Sequence, residues 1–306
     1  MPGKSPRRVW REPRGAGSPF ARRWVLGGLA ALGASALAGP GRAAETRSEE
    51  IRFGLTPVFL SSDLELLTRL KAYLAASTGR PVTLVLRRTY QEITALVLSG
   101  YLDAAWICGY PFIQYQARLR LVAVPVWRGR PLYQSYLIVD RDRSATGIAD
   151  LRDDIHAFSD PDSNSGHLVT QALLAESGET PDTFFRKTFF TYSHRNVVRA
   201  VAAGLAQSGS VDGYVWEVMA EIEPDLTSKS RVVRKSEWLG FPPIACAKAL
   251  RGSEATTKIA RALLTMGDDP AGRQVLDLLR LDGFTAGDNA LFRGIARKFD
   301  QVKRLG

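Results

Sequence analysis

Cysteine, histidine and methionine are all scarce: the 306 residues hold two Cys (Cys108 and Cys246), three His (His156, His167 and His194) and three Met. Two cysteines far apart in sequence make neither a Cys-x-x-Cys redox pair nor a thiolate cage. Three histidines without ligand spacing give no metal site, so no metal and no cofactor is expected. The Gly-x-Ser-x-Gly elbow of a hydrolase and the Gly-x-x-x-x-Gly-Lys loop of a nucleotide-binding protein are absent as well. A Ser163 and His194 nucleophile pair is the remaining enzymatic reading, but it leaves the residues around Ser163 unexplained. No catalytic residue is assigned, and the chain is read as a non-enzyme.

Long apolar runs are also missing. The run at residues 24–38 is rich in Gly and Ala and falls short of the ~20 strongly apolar residues that span a bilayer. Basic residues (Lys4, Arg7, Arg8, Arg11, Arg14, Arg22, Arg23) precede it, and small residues through Ala43 and Ala44 follow. This is the pattern of a secretory signal at residues 1–43, cleaved near Ala43 or Ala44, with a tethering helix that is never cleaved as the alternative. Arg22 and Arg23 ahead of Trp24 leave the Sec and twin-arginine routes both open. No Cys follows the run to carry a lipid anchor. The mature protein is therefore expected in the periplasm, without stable membrane insertion, as a monomer.

The leader also accounts for most of the charge. The formal net charge is +10, but residues 1–43 hold eight Lys or Arg against one acid. The remaining 33 basic and 30 acidic residues give only +3, too little for a nucleic-acid partner. Cys108 and Cys246 are read either as a disulfide, which export permits, or as two buried thiols.

In the mature region, residues 51–56 alternate as a first strand and Ser61-Ser62-Asp63 caps an amphipathic helix over 64–76. A strand at 82–86, a helix at 90–98 capped by Thr89, and a strand at 102–107 complete a βαβαβ unit. Right-handed crossovers make these strands parallel and cluster Thr56, Arg87 and Cys108 at one sheet edge. Strands are expected at 122–127 and 133–140, with a domain crossing at 141–143. A second series follows: strand 155–158, helix 168–177, strand 188–192, helix 195–207, strand 211–215. Residues 238–248 return the chain, and helices at 254–266, 272–279 and 289–298 close it. The expected fold class is α/β with two lobes: residues 50–140 plus 242–306 as lobe I, and 141–241 as lobe II. A single doubly wound sheet is the alternative.

Ser159-Asp160-Pro161-Asp162-Ser163-Asn164-Ser165-Gly166-His167 lies between a predicted strand and a predicted helix. Free backbone N–H groups, a positive helix end and two hydroxyls at one point suit a tetrahedral oxyanion without needing Lys or Arg. The alternative is an ordinary capped turn.

Phe53-Gly54-Leu55-Thr56-Pro57, Thr89-Tyr90-Gln91-Glu92, Gly100-Tyr101-Leu102-Asp103-Ala104-Ala105-Trp106, Asp160-Pro161-Asp162-Ser163-Asn164-Ser165-Gly166, Tyr192-Ser193-His194 and Val211-Asp212-Gly213 follow one another in the chain. In this order they make the chain resemble the phosphate/phosphite/phosphonate-binding family of ABC-transporter solute receptors. The resemblance implies a type II periplasmic-binding-protein fold with the ligand in the cleft between lobes. It also implies a small oxyanion ligand and an ABC permease as partner. A periplasmic sensory receptor for a small anion is the alternative.

By the same resemblance the ligand is gripped by Ser163, Asn164, Ser165 and Gly166, with Asn164 standing where the family's turn has Thr. Tyr90, Tyr133 and His194 are further donors. Glu217 matches an acid that meets a ligand amine in phosphonate-binding relatives. Phe241-Pro242-Pro243 lacks the second acid of that amine site, which argues against an aminoalkylphosphonate.

Overall fold

The computed structural model describes residues 49–56 and 63–304; the expected leader at residues 1–43 lies outside them, as do Pro57, Ser61 and Ser62. The first lobe begins with β1 (Ile51–Leu55), α1 (Leu64–Thr78), β2 (Val82–Leu86), α2 (Tyr90–Leu98) and β3 (Ala104–Trp106). β1 lies between β2 and β3 and is parallel to both, as the expected crossovers require. Asp63 caps α1 by accepting from Leu66 N. Gly54 permits the tight packing of the first strand, because a Cβ there would sit 2.6 Å from Leu102 Cδ1 and 2.7 Å from Ala105 Cβ.

The chain continues through α3 (Gly109–Gln114), β4 (Leu119–Val126), β5 (Leu132–Tyr133) and β6 (Ser135–Asp140). β6 belongs to the second sheet, so the chain changes sheets at Gln134, ahead of residues 141–143. Arg143, in the expected crossing, instead ties down the second lobe through Asp154 at 2.6 Å.

The second lobe holds β7 (Ile155–Phe158), α4 (Val169–Ala175), α5 (Pro181–Phe184), β8 (Lys187–Phe190), α6 (His194–Ala202), β9 (Ser208–Asp212), α7 (Gly213–Ile222), α8 (Pro224–Thr227) and β10 (Ser230–Lys235). Its strand order is β10-β6-β9-β7-β8, with β7 parallel to β8 and β9. The strand expected at 211–215 ends at Asp212, whose carboxylate accepts from Tyr214 N and Val215 N and starts α7. The ordered strand begins earlier, at Ser208, where polar residues hid it. His156 takes the Ser208 and Ser210 hydroxyls at 2.8 Å each, so both are buried and satisfied.

The return passes through β11 (Leu239–Gly240) and β12 (Ile244–Ala247), then α9 (Glu254–Leu264), α10 (Pro270–Leu279), β13 (Gly283–Thr285) and α11 (Arg293–Lys303). β11 pairs antiparallel with β5, Leu239 against Tyr133, so the two chain crossings form one short ribbon between the sheets. The first sheet closes in the order β13-β4-β12-β3-β1-β2. α9 and α10 pack on α1, whereas α11, expected on the first lobe alone, also lies against α4. Gln301 Nε2 donates to Ala172 O across that contact at 2.9 Å. Cys108 and Cys246 are free and buried.

Candidate functional site

Tyr90 is placed by a reciprocal cap. Thr89 Oγ1 accepts from Glu92 N at 3.2 Å while Glu92 Oε2 accepts from Thr89 N at 3.0 Å, a device that contributes about 1 kcal/mol to a helix start. It fixes the first turn of α2, so the Tyr90 ring is fully buried and its backbone N–H reaches Asp160 Oδ2 in the other lobe at 3.2 Å. Tyr133 comes from the crossing strand β5, packs on Phe241 with ring centroids 5.6 Å apart, and accepts from Asn164 Nδ2 at 2.7 Å.

The segment after β7 forms a widened turn at Asn164–Leu168, in which Leu168 N reaches back five residues to Ser163 O at 3.0 Å. A helix was expected only from 168; the wide turn precedes it and points Ser163, Asn164 and Ser165 inward, all buried. Ser163 Oγ accepts from Gly166 N at 3.0 Å, Asn164 N donates to Cys108 Sγ at 3.2 Å, and Ser135 Oγ donates to Ser165 O at 2.6 Å. Gly166 is required by close approach: a Cβ there would lie 1.9 Å from Ser159 Oγ.

His194 opens α6. Its Nδ1 accepts from Asp212 N at 3.0 Å, and burial depresses its pKa to about 3. The ring is therefore neutral with its hydrogen on Nε2, which donates to the Tyr90 phenol at 3.2 Å. The Tyr90 O–H hydrogen is left to point into the seam. Beside it Asn164 Nδ2 donates to the Tyr133 phenol, and the Ser165 side chain lies close enough to Tyr133 and to the Asp212 carboxylate to favour their charged forms against burial.

Burial holds both phenols well above their usual pKa and pushes the Cys108 thiol up to about 12, so all three are neutral. Burial likewise raises Asp160, and raises Asp212 to about 7 against the pull of its capping N–H bonds. Two polar atoms here are buried without a hydrogen-bond partner in the protein, Ser159 Oγ and Asn164 Oδ1.

Seven of the eight residues singled out in the sequence thus meet at one seam: Tyr90, Tyr133, Ser163, Asn164, Ser165, Gly166 and His194. Glu217 does not join them by any hydrogen bond among the described residues. Its carboxylate accepts from the Tyr136 phenol at 2.9 Å and pairs with Arg128 at 3.4 Å and Lys235 at 3.6 Å. Three groups at the seam were not assigned a role from the sequence: Cys108, Asp160 and Asp212. The two acids stand within the quoted motifs, and Cys108 follows β3 at the sheet edge where the strand pattern put it, although its bond to Asn164 depends on long-range packing. Among the described residues no His, Cys, Asp and Glu cluster could hold a metal ion, and no helix is long and apolar enough to cross a membrane.

The arrangement is a buried set of neutral hydroxyl, amide and imidazole groups, drawn from the carboxyl ends of strands in both sheets and from the ribbon between them, with no Lys or Arg among them. The family model described as ABC transporter, phosphonate, periplasmic substrate-binding protein matches residues 53–292. The chain belongs to this family. Members of this phosphonate-binding family are substrate-binding proteins of ABC transporters. Among solved structures, a binding protein component of an ABC phosphonate transporter from Pseudomonas aeruginosa is 22% identical, with TM-score 0.76 over 84% of this chain and 87% of that one. PhnD1 from Prochlorococcus marinus, in complex with methylphosphonate, is 17% identical, with TM-score 0.74 over 84% of this chain and 99% of that one. A Xanthomonas citri protein bound to chloride ion is 16% identical, with TM-score 0.68 over 84% and 99%. These likenesses fix the fold as the two-lobed periplasmic-binding-protein type.

Proposed function

We propose that the chain captures a phosphorus oxyanion of the phosphite, phosphonate or phosphate kind between its lobes in the periplasm and delivers it to an ABC permease without a chemical step. The observation that carries this reading is the buried meeting of Tyr90 and Tyr133 with Ser163, Asn164, Ser165 and His194 across the seam. The methylphosphonate complex of PhnD1 supports it. The Tyr90 O–H and the partnerless Ser159 hydroxyl are donors for the anion. Because donors come from both lobes, the anion binds the closed form better than the open one and closure follows occupancy.

The partnerless acceptor Asn164 Oδ1 narrows the class further. It matches an oxyanion that still carries a P–OH, since an acceptor facing a fully ionised oxyanion is repelled. Singly protonated phosphite, phosphonate and phosphate meet that condition near neutral pH; sulfate does not. Protonation of Asp212, which burial favours, removes a negative charge beside the ligand. An aminoalkylphosphonate is disfavoured, because Glu217 is already paired with Arg128 and Lys235. Pro242, in place of an acid, gives its carbonyl to Trp106 Nε1 at 2.8 Å.

A thermal-shift panel of phosphate, phosphite, methylphosphonate, 2-aminoethylphosphonate and sulfate on the purified protein tests this, since a ligand selective for the folded state raises its melting temperature. A shift with phosphite or methylphosphonate that is lost in Ser163→Ala and Ser165→Ala is expected. Silence across the phosphorus oxyanions, or an equal response to sulfate, overturns the ligand class.

A further inference from the structure

Above the buried donors the seam opens into a groove of about 870 Å³, whose lining includes Arg87, Arg88 and Thr89 from the first lobe and Ser193, Arg195 and Arg199 from the second. Thr89 and Ser193 directly precede Tyr90 and His194, so the groove sits over the hydrogen bond that joins those two residues at 3.2 Å. Its charge is lopsided. Four arginines face one lining acid, Glu92, whose carboxylate is engaged by Thr89 N and Oγ1. Behind the lining, Glu223 pairs with Arg195 at 2.7 Å and lies 4.0 Å from Arg199, which still leaves the groove positive.

The arginines also come from opposite lobes: Arg87 and Arg88 from the loop between β2 and α2, Arg195 and Arg199 from α6. Closure brings like charges together at the mouth, which opposes it until an anion lies between them. We propose that this groove is a second anion subsite and that the ligand is a phosphorus oxyanion carrying a second anionic group, as in a phosphonocarboxylate or a diphosphate-type compound. The phosphorus group occupies the buried donors, and the second group sits among the rim arginines, where planar guanidinium forks suit a carboxylate or phosphate. The exposed Tyr192, also in the lining, holds φ at +55°, a backbone strain that fits a residue shaped for contact at this mouth. The inference rests on the proposed capture of a phosphorus oxyanion.

Calorimetric titration with methylphosphonate and phosphonoacetate, which differ by one carboxylate, separates the two claims. In the wild type at low salt, phosphonoacetate is expected to bind tighter by on the order of tenfold, the scale of a few partly screened ion pairs. The double variant Arg87→Gln/Arg88→Gln, at exposed positions, and Arg199→Gln on the facing lobe should each abolish most of that preference and change methylphosphonate affinity by no more than about twofold. Equal binding of the two probes by the wild type, or variants that weaken both alike, overturns the rim subsite while methylphosphonate binding keeps the primary reading. Failure of the wild type to bind either probe overturns the subsite, and the primary reading falls with it when phosphite and phosphate are silent as well.

Discussion

Tyr90→Phe removes one oxygen from the centre of the seam and changes nothing else in the ring. In the wild type that oxygen accepts from His194 Nε2 at 3.2 Å, and its own hydrogen is left for the anion because His194 Nδ1 is occupied by Asp212 N. Losing a hydrogen bond to a charged ligand costs about 1.5–3 kcal/mol, which is roughly 10- to 150-fold in dissociation constant. The ligand-free protein is affected separately, since the Nε2 hydrogen is left buried without a partner at a cost of about 1–3 kcal/mol. Titration calorimetry with phosphite or methylphosphonate reads the first effect and thermal melting without ligand reads the second. A variant that binds as tightly as wild type, or that melts lower yet binds unchanged, refutes the role given to the phenol.

Asn164→Asp places a carboxylate against the ligand and should weaken binding by about three orders of magnitude, the equivalent of ~4 kcal/mol for unit charges 4 Å apart at an effective dielectric of 20. Asn164→Thr, which keeps a donor and acceptor, should stay within about tenfold of wild type by competition calorimetry; equal behaviour of the two variants would contradict the neutral-donor site. Asp212, raised from 3.8 to about 7, holds its proton more tightly folded than unfolded, so its share of stability is lost as pH rises from about 4 to 7. His156 and His194, lowered to about 3, act in the opposite direction, so the difference between Asp212→Asn and wild type isolates the acid. Urea unfolding should show the variant gaining about 2–3 kcal/mol on wild type between pH 5 and 8, and a flat difference would count against a buried, proton-holding Asp212. Gly166→Ala forces a methyl to within 1.9 Å of Ser159 Oγ, which should cost about 1–3 kcal/mol and lower the melting temperature by several degrees; an unchanged melt would show that the turn is looser than described.

Local signals were readable where local chemistry decided the structure. Thr89 with Glu92 announces the cap of α2, and the bounds of β2, α2 and β7 follow from their apolar patterns. β9 was displaced because its serines are satisfied by His156 from a strand 52 residues away, a pairing that no window of sequence contains. The change of sheet at Gln134 was hidden for a similar reason: β5 and β6 are one apolar stretch, and only their partners, β11 and β9, separate them. At the site, the short motifs around Tyr90, Ser163 and His194 were enough to name donors. The strand pattern put Cys108 at the same sheet edge but gave it no role, since it meets Asn164 across 56 residues of chain. Glu217 was drawn away by Arg128, 89 residues before it on the hairpin turn after β4, and by Lys235 on β10.

The central claim is that neutral groups from both lobes hold a phosphorus oxyanion, and a co-crystal structure with methylphosphonate tests it most directly. The phosphonate group is expected within hydrogen-bond distance of Tyr90 and of the segment Ser163-Asn164-Ser165, with Asn164 Oδ1 facing a protonated oxygen and no arginine in contact. A phosphonate seated among Arg87, Arg88 and Arg199, with the buried donors still bonded to one another, would contradict it.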